Sequence, residues 1–105
     1  MASSKEYLQF ILDQLAGLEG VSWRAMMGEY ILYVNRKVVG GIYDDRLLVK
    51  PAKSALALMP EAPRELPYEG AAEMLLVEQV DDSAFLAALF QALAEDLPAP
   101  KKRKS

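Results

Sequence analysis

Tyr7, Leu8, Ile11, Leu15 and Leu18 recur at the spacing that puts apolar side chains on one face of a helix. Ser3 followed by Glu6 has the form of a capping box, so a first helix is predicted from about Ser4 to Ala16, ended by Gly17 and Gly20. From Val21 the texture turns β-branched and aromatic. Four short runs follow, Val21 to Met26, Tyr30 to Val34, Lys37 to Tyr43 and Arg46 to Lys50, separated by Gly28-Glu29, Asn35-Arg36 and Asp44-Asp45. These separators are tight-turn chemistry and too short for crossover connections, so the strands are predicted to form an antiparallel meander.

Pro51 closes the fourth strand, and Ser54 to Met59 reads as a short helix stopped by Pro60. Pro60, Pro63 and Pro67 punctuate a connection that Leu66 and Tyr68 are expected to pin to the body. Glu73 to Glu78 reads as a further strand, apolar on both faces and therefore interior, although a short apolar run also fits a helix. Asp81 or Asp82 caps a last helix whose Phe85, Leu86, Leu89, Phe90 and Leu93 share a stripe, ending near Leu97 before Pro98. The order is helix, four strands, short helix, one or two strands, helix. That is an α+β, two-layer layout: an antiparallel sheet of about five to six strands with helices on one face. Residues 1–97 form a single domain in this reading, and 98–105 a disordered basic tail.

Composition narrows the chemistry. The 105 residues are 52% hydrophobic and 26% charged, a balance that suits one compact domain with one core. Cysteine and histidine are absent, which excludes thiolate nucleophiles, disulfides, imidazole bases and zinc sites that need nitrogen or sulfur ligands. No metal or cofactor is expected, and no pair of acids stands out by spacing as an acid and base in one cleft, so the chain reads as non-enzymatic. The net charge of −3 hides an asymmetry: Lys101, Lys102, Arg103 and Lys104 are four of the twelve cations, and all fifteen acids precede them. Residues 1–100 thus carry −7, eight cations against fifteen anions. An acidic body repels a phosphate backbone, so nucleic-acid binding by the folded part is disfavoured and would need the tail. The N-terminus has no leader pattern and no apolar stretch approaches the roughly 18 residues of a spanning helix, so a cytoplasmic location without membrane contact is expected.

Three segments carry a family resemblance. Arg24-Ala25-Met26-Met27-Gly28-Glu29-Tyr30, the hairpin into Val39-Gly40-Gly41-Ile42-Tyr43, and Asp45-Arg46-Leu47-Leu48-Val49-Lys50 resemble the N-terminal domain of the TfoX (Sxy) competence regulators. The resemblance covers roughly residues 3 to 97 and is most specific over 24 to 50. It implies a two-layer fold like the secretion-chaperone-like domains and a bacterial role in regulating genes for natural DNA uptake. Glu29 stands where a second glycine is common, and Leu48 where the family often has tyrosine, departures that suggest a divergent, stand-alone short form.

Several residues are candidates for contact, each with a plainer alternative. The segment of Arg24, Met26, Met27 and Gly28 is a candidate surface because Met26 and Met27 are adaptable apolar side chains of the kind used at tolerant binding surfaces; alternatively, strand alternation buries one methionine and Gly28 merely permits a turn. Gly40-Gly41 inside a strand points to a bulge or a close approach, the plainest being a helix packed over the sheet. Arg46, Lys50 and Lys53 form a small basic face suited to a carboxylate or phosphate, or else a solvated edge. Tyr43, closing the hairpin segment, is counted with them. Asp44-Asp45 and Asp81-Asp82 lack the spaced loop of a cation site and read as turn and cap residues. The tail cations, Lys101 to Lys104, suit nucleic acid or an acidic partner, or simply a solubilising end.

The function expected is a regulatory or adaptor domain acting by protein contact through a sheet edge or the methionine segment, with a homodimer as one arrangement. The alternative is a chaperone-like module that holds a peptide or unfolded client on an exposed apolar patch.

Overall fold

A computed structural model describes residues 4–97. Helix α1 (Lys5–Gln14) leads into a meander of β1 (Val21–Met26), β2 (Glu29–Val34), β3 (Lys37–Ile42) and β4 (Leu47–Val49). Helix α2 (Lys53–Leu58), the two-residue β5 (Arg64–Glu65), β6 (Met74–Leu76) and helix α3 (Ser83–Asp96) complete the described residues. All six strands pair antiparallel in the order β1-β2-β3-β4-β6-β5. The α+β layout read from the pattern is therefore the fold, and β6 is interior, between β4 and β5.

The caps follow local chemistry. The Ser4 hydroxyl accepts the Tyr7 N–H at 3.1 Å, so the first cap is Ser4 and not the expected Ser3. Helix α1 stops two residues short of Ala16, because Ala16 and Leu18 bond back three residues as the chain tightens toward Gly17. Asp82 caps α3 through the Phe85 N–H. Helix α2 lacks a side-chain cap of its own, and Asp96 at the end of α3 accepts its Ser54 N–H at 2.9 Å.

Three hairpin turns share one geometry. Met27-Gly28, Asn35-Arg36 and Asp44-Asp45 all have positive φ at both positions, the backbone of type I′ turns, whose twist matches that of the flanking strands. The first turn sits one residue earlier than Gly28-Glu29, so Glu29 opens β2. Its Oε1 accepts the Asp44 N–H at 3.1 Å and ties the two hairpins that turn at the same end of the sheet.

Alternation then decides the core. Tyr30, Leu32 and Val34 of β2 share a face with Ile42, Leu47, Val49 and Leu75 of the paired strands, and all are buried. The same cluster takes Leu8, Ile11 and Leu15 from α1, Ala55 and Met59 around α2, and Leu86, Leu89, Phe90 and Leu93 from α3. Val39 is the extra residue of a bulge that shifts the β2–β3 register between Leu32 and Tyr33.

The bulge explains Gly40-Gly41. A Cβ on Gly40 would lie 2.2 Å from the Leu48 carbonyl oxygen and 2.8 Å from the Val49 Cα, and one on Gly41 would meet the Tyr30 carbonyl oxygen and the Tyr43 ring at 2.6 and 2.7 Å. Neighbouring strands and a tyrosine ring, not a helix, exclude the side chains.

Candidate interaction edge

Among the described residues strand β1 has a neighbour on one side only, so half of its backbone polar groups point away from the sheet. Its inward register, Val21, Trp23 and Ala25, pairs with Val34, Leu32 and Tyr30, but α3 crosses β2 and β3 and leaves β1 beyond its cover. Every β1 residue after Val21 is exposed. Trp23 rests edge-on against Tyr30, with ring centroids 5.6 Å apart, and still leaves 44% of its surface open.

Neither methionine is buried in the core. Met26 is 44% exposed and Met27, at the turn, 95%, so alternation does not tuck one of them inside as the plainer reading expected. Met27 also holds a φ of +53°, a left-handed conformation that strains a side chain lacking a local polar group. Gly28, with φ +86°, serves the turn.

Beside these apolar groups, Ser22, Trp23, Arg24, Tyr33 and Arg36 line a shallow depression of about 290 Å³. Among the described residues neither Arg24 nor Arg36 enters an ion pair, so both charges are available to a partner. The opposite edge is built differently. Strand β5 is two residues long, both charged, and lies between Pro63 and Pro67, features that block strand addition. One edge of the sheet is closed and the other is open.

The remaining candidates separate. Arg46 pairs with Glu65, and its guanidinium also donates to the Tyr43 carbonyl at 3.0 Å and the Leu66 carbonyl at 3.4 Å. It thus clamps β5 and its following loop to the β3–β4 hairpin. Of the two readings of Arg46, Lys50 and Lys53, the joint basic face does not form, because Lys50 and Lys53 lie exposed beyond the other end of β4 and Arg46 is already paired. Asp44 and Asp45 are turn residues, and Asp45 also accepts the Ser4 N–H at 2.8 Å. Among the described residues no cluster of three acidic side chains is placed to hold a metal ion. Pro67, and neither Leu66 nor Tyr68, is the buried residue of the proline-rich connection. Lys101, Lys102, Arg103 and Lys104 lie outside the described residues.

Tyr43 is buried and faces Tyr68, their ring centroids 6.3 Å apart. Burial first, then Tyr68, Glu29 and Tyr33, pushes its phenol above the ordinary value of 10.0. The folded chain therefore keeps this proton longer than the unfolded chain. The associated stability is complete below the unfolded value and is lost as the pH rises through the folded one. Urea unfolding at stepped alkaline pH will show this loss, and Tyr43→Phe will reduce it.

Trp23, Arg36 and Tyr68 are not singled out by the sequence as candidates for contact. Alternation places Trp23 on the inward face, and only its position on the first strand of a meander, an edge unless something pairs with it, signals exposure.

Comparison with known proteins settles the relationship. The family model of the TfoX N-terminal domain matches residues 13–93. The chain belongs to the TfoX N-terminal domain family. It is also 35% identical over 106 residues to an uncharacterized 12.7 kDa protein in the trpE 5′ region of Spirochaeta aurantia, a match that spans 100% of this chain and 92% of that protein. No solved structure matches it. Within this TfoX N-terminal domain, Glu29 supplies the bond to Asp44 that a glycine could not make, and Leu48 is wholly buried, pairing with Gly41 and Leu76. Among the described residues no helix is long and apolar enough to cross a membrane.

Proposed function

We propose that this TfoX N-terminal domain is a non-enzymatic regulatory adaptor that takes an extended segment of a protein partner along the outer edge of β1. The observation that carries this reading is the contrast between the two sheet edges. Strand addition supplies affinity through main-chain hydrogen bonds, and Trp23, Met26 and Met27 supply the apolar contacts that select a sequence. Arg24 and Arg36 favour acidic side chains in the partner. The membership of the family links the reading to control of natural competence.

Affinity capture from the native host by the full-length chain tests the proposal, with Arg24→Glu and Met26→Asp variants as comparators. A partner retained by the wild type, lost by both folded variants and protecting β1 amides from hydrogen exchange supports it. Retention of the same partner by both variants, or unchanged competence transcription after gene deletion, sinks it. An edge that serves as a chaperone-like client site would instead bind any unfolded chain without regard to sequence.

The strain at Met27 adds a separate expectation. Asparagine tolerates the left-handed conformation, so Met27→Asn should raise the unfolding free energy by about 1 kcal/mol. The same change should weaken partner binding about tenfold, the signature of a residue kept for contact rather than for folding. Urea denaturation and a binding titration read the two effects.

A further inference from the structure

A second concavity lies away from the β1 edge, bounded by β3, the chain after β4 and the segment from Pro67 to Met74. It has a volume of about 470 Å³, and its walls include Tyr43, Pro51, Pro67, Tyr68, Met74 and Leu97. Aromatic and proline side chains around an open groove are the surface that proline-rich segments dock against, because a polyproline helix arrives already extended and loses little entropy.

Leu97 links that groove to the rest of the chain. It lines the groove and has φ −80° and ψ 146°, the polyproline conformation, which the following Pro98 also requires of it. The next residues are Pro98-Ala99-Pro100, which at the polyproline rise cover about 9 Å. The four cations of Lys101 to Lys104 come after them. Glu73 stands on the groove wall, with Glu69 in the adjoining turn, while Lys50 occupies the bounding segment after β4. For an occupant that carries a basic run, the Glu69 and Glu73 side of the groove is the one of complementary charge.

We propose that this groove takes a polyproline segment, and that the segment is the chain's own Pro98-Ala99-Pro100, directed into it by Leu97. Tyr43 and Tyr68 form the aromatic floor, and Glu69 and Glu73 hold the basic run that follows. The groove is then filled from within, and a partner's proline-rich segment gains access only by displacing the tail.

Ala99 reports on this directly, since it carries an amide between two residues that have none. In the nitrogen-labelled full-length protein its backbone order parameter should be near the rigid value of about 0.85. It should fall below about 0.6 in Tyr68→Ala and in the Pro98→Gly, Pro100→Gly double variant, whose changes lie outside the described fold. A mobile Ala99 in the wild type overturns the proposal, and so does a rigid Ala99 that neither variant releases. If Ala99 is mobile and an added proline-rich peptide shifts the Ala71 and Ala72 amides, the groove serves a partner and not the tail. Rigidity that grows with protein concentration assigns the groove to a second copy's tail, which also overturns it.

Discussion

Gly40→Ala will lower the unfolding free energy by about 3 kcal/mol or more, because the new methyl group has nowhere to go. Its Cβ would sit 2.2 Å from the Leu48 carbonyl oxygen, a backbone atom within the ladder that no side-chain rotation can move. Relief requires β3 and β4 to part where Gly40 pairs with Val49, next to the Val39 bulge, and parting them opens the centre of the sheet. A domain of this size has about 5–15 kcal/mol in all, so the variant should be marginal at room temperature. Gly17→Ala is the matched control: nothing lies within 4 Å of its Cβ, and it should be neutral or slightly stabilising. Urea unfolding of the two side by side checks the argument, and a Gly40→Ala midpoint equal to that of the wild type would refute it.

Phe90→Ala should cost about 3–5 kcal/mol. Phe90 is wholly buried in the cluster that joins all three helices to the sheet, so truncation removes contacts on every side and leaves a cavity. Phe90→Leu should recover much of the loss by keeping most of the volume. Denaturant titration gives both values, and the slope should stay that of the wild type, since the surface exposed on unfolding hardly changes. A Phe90→Ala loss below about 1 kcal/mol would mean that the helices close over the gap.

The meander was legible because its information is local. Asn35-Arg36 and Asp44-Asp45 sit between apolar runs, and a two-residue turn leaves one topology and one register for the strands it joins. The cap at Asp82 and the α3 stripe are equally local. What escaped the sequence depends on distant partners. The pairing of Arg46 with Glu65 joins residues 19 apart, so the cation that looked like part of a basic face is a clamp. Trp23 follows the inward alternation faithfully, yet its exposure depends on where α3 ends its crossing, which no spacing within β1 records. Gly40-Gly41 signalled a close approach correctly, but the approaching atoms belong to strands and a tyrosine ring.

The unequal edges also limit how copies of this domain can associate. Growth of a sheet from molecule to molecule needs two sticky ends, and here β5 offers none: it is two residues long and flanked by Pro63 and Pro67. Among the described residues the sheet therefore has one open edge. Self-pairing through the sheet would join β1 to β1 about a two-fold axis, use up both open edges and leave a closed β5 at each end. Such an assembly would terminate at the dimer, so pairing through this edge would not propagate into a continuous sheet.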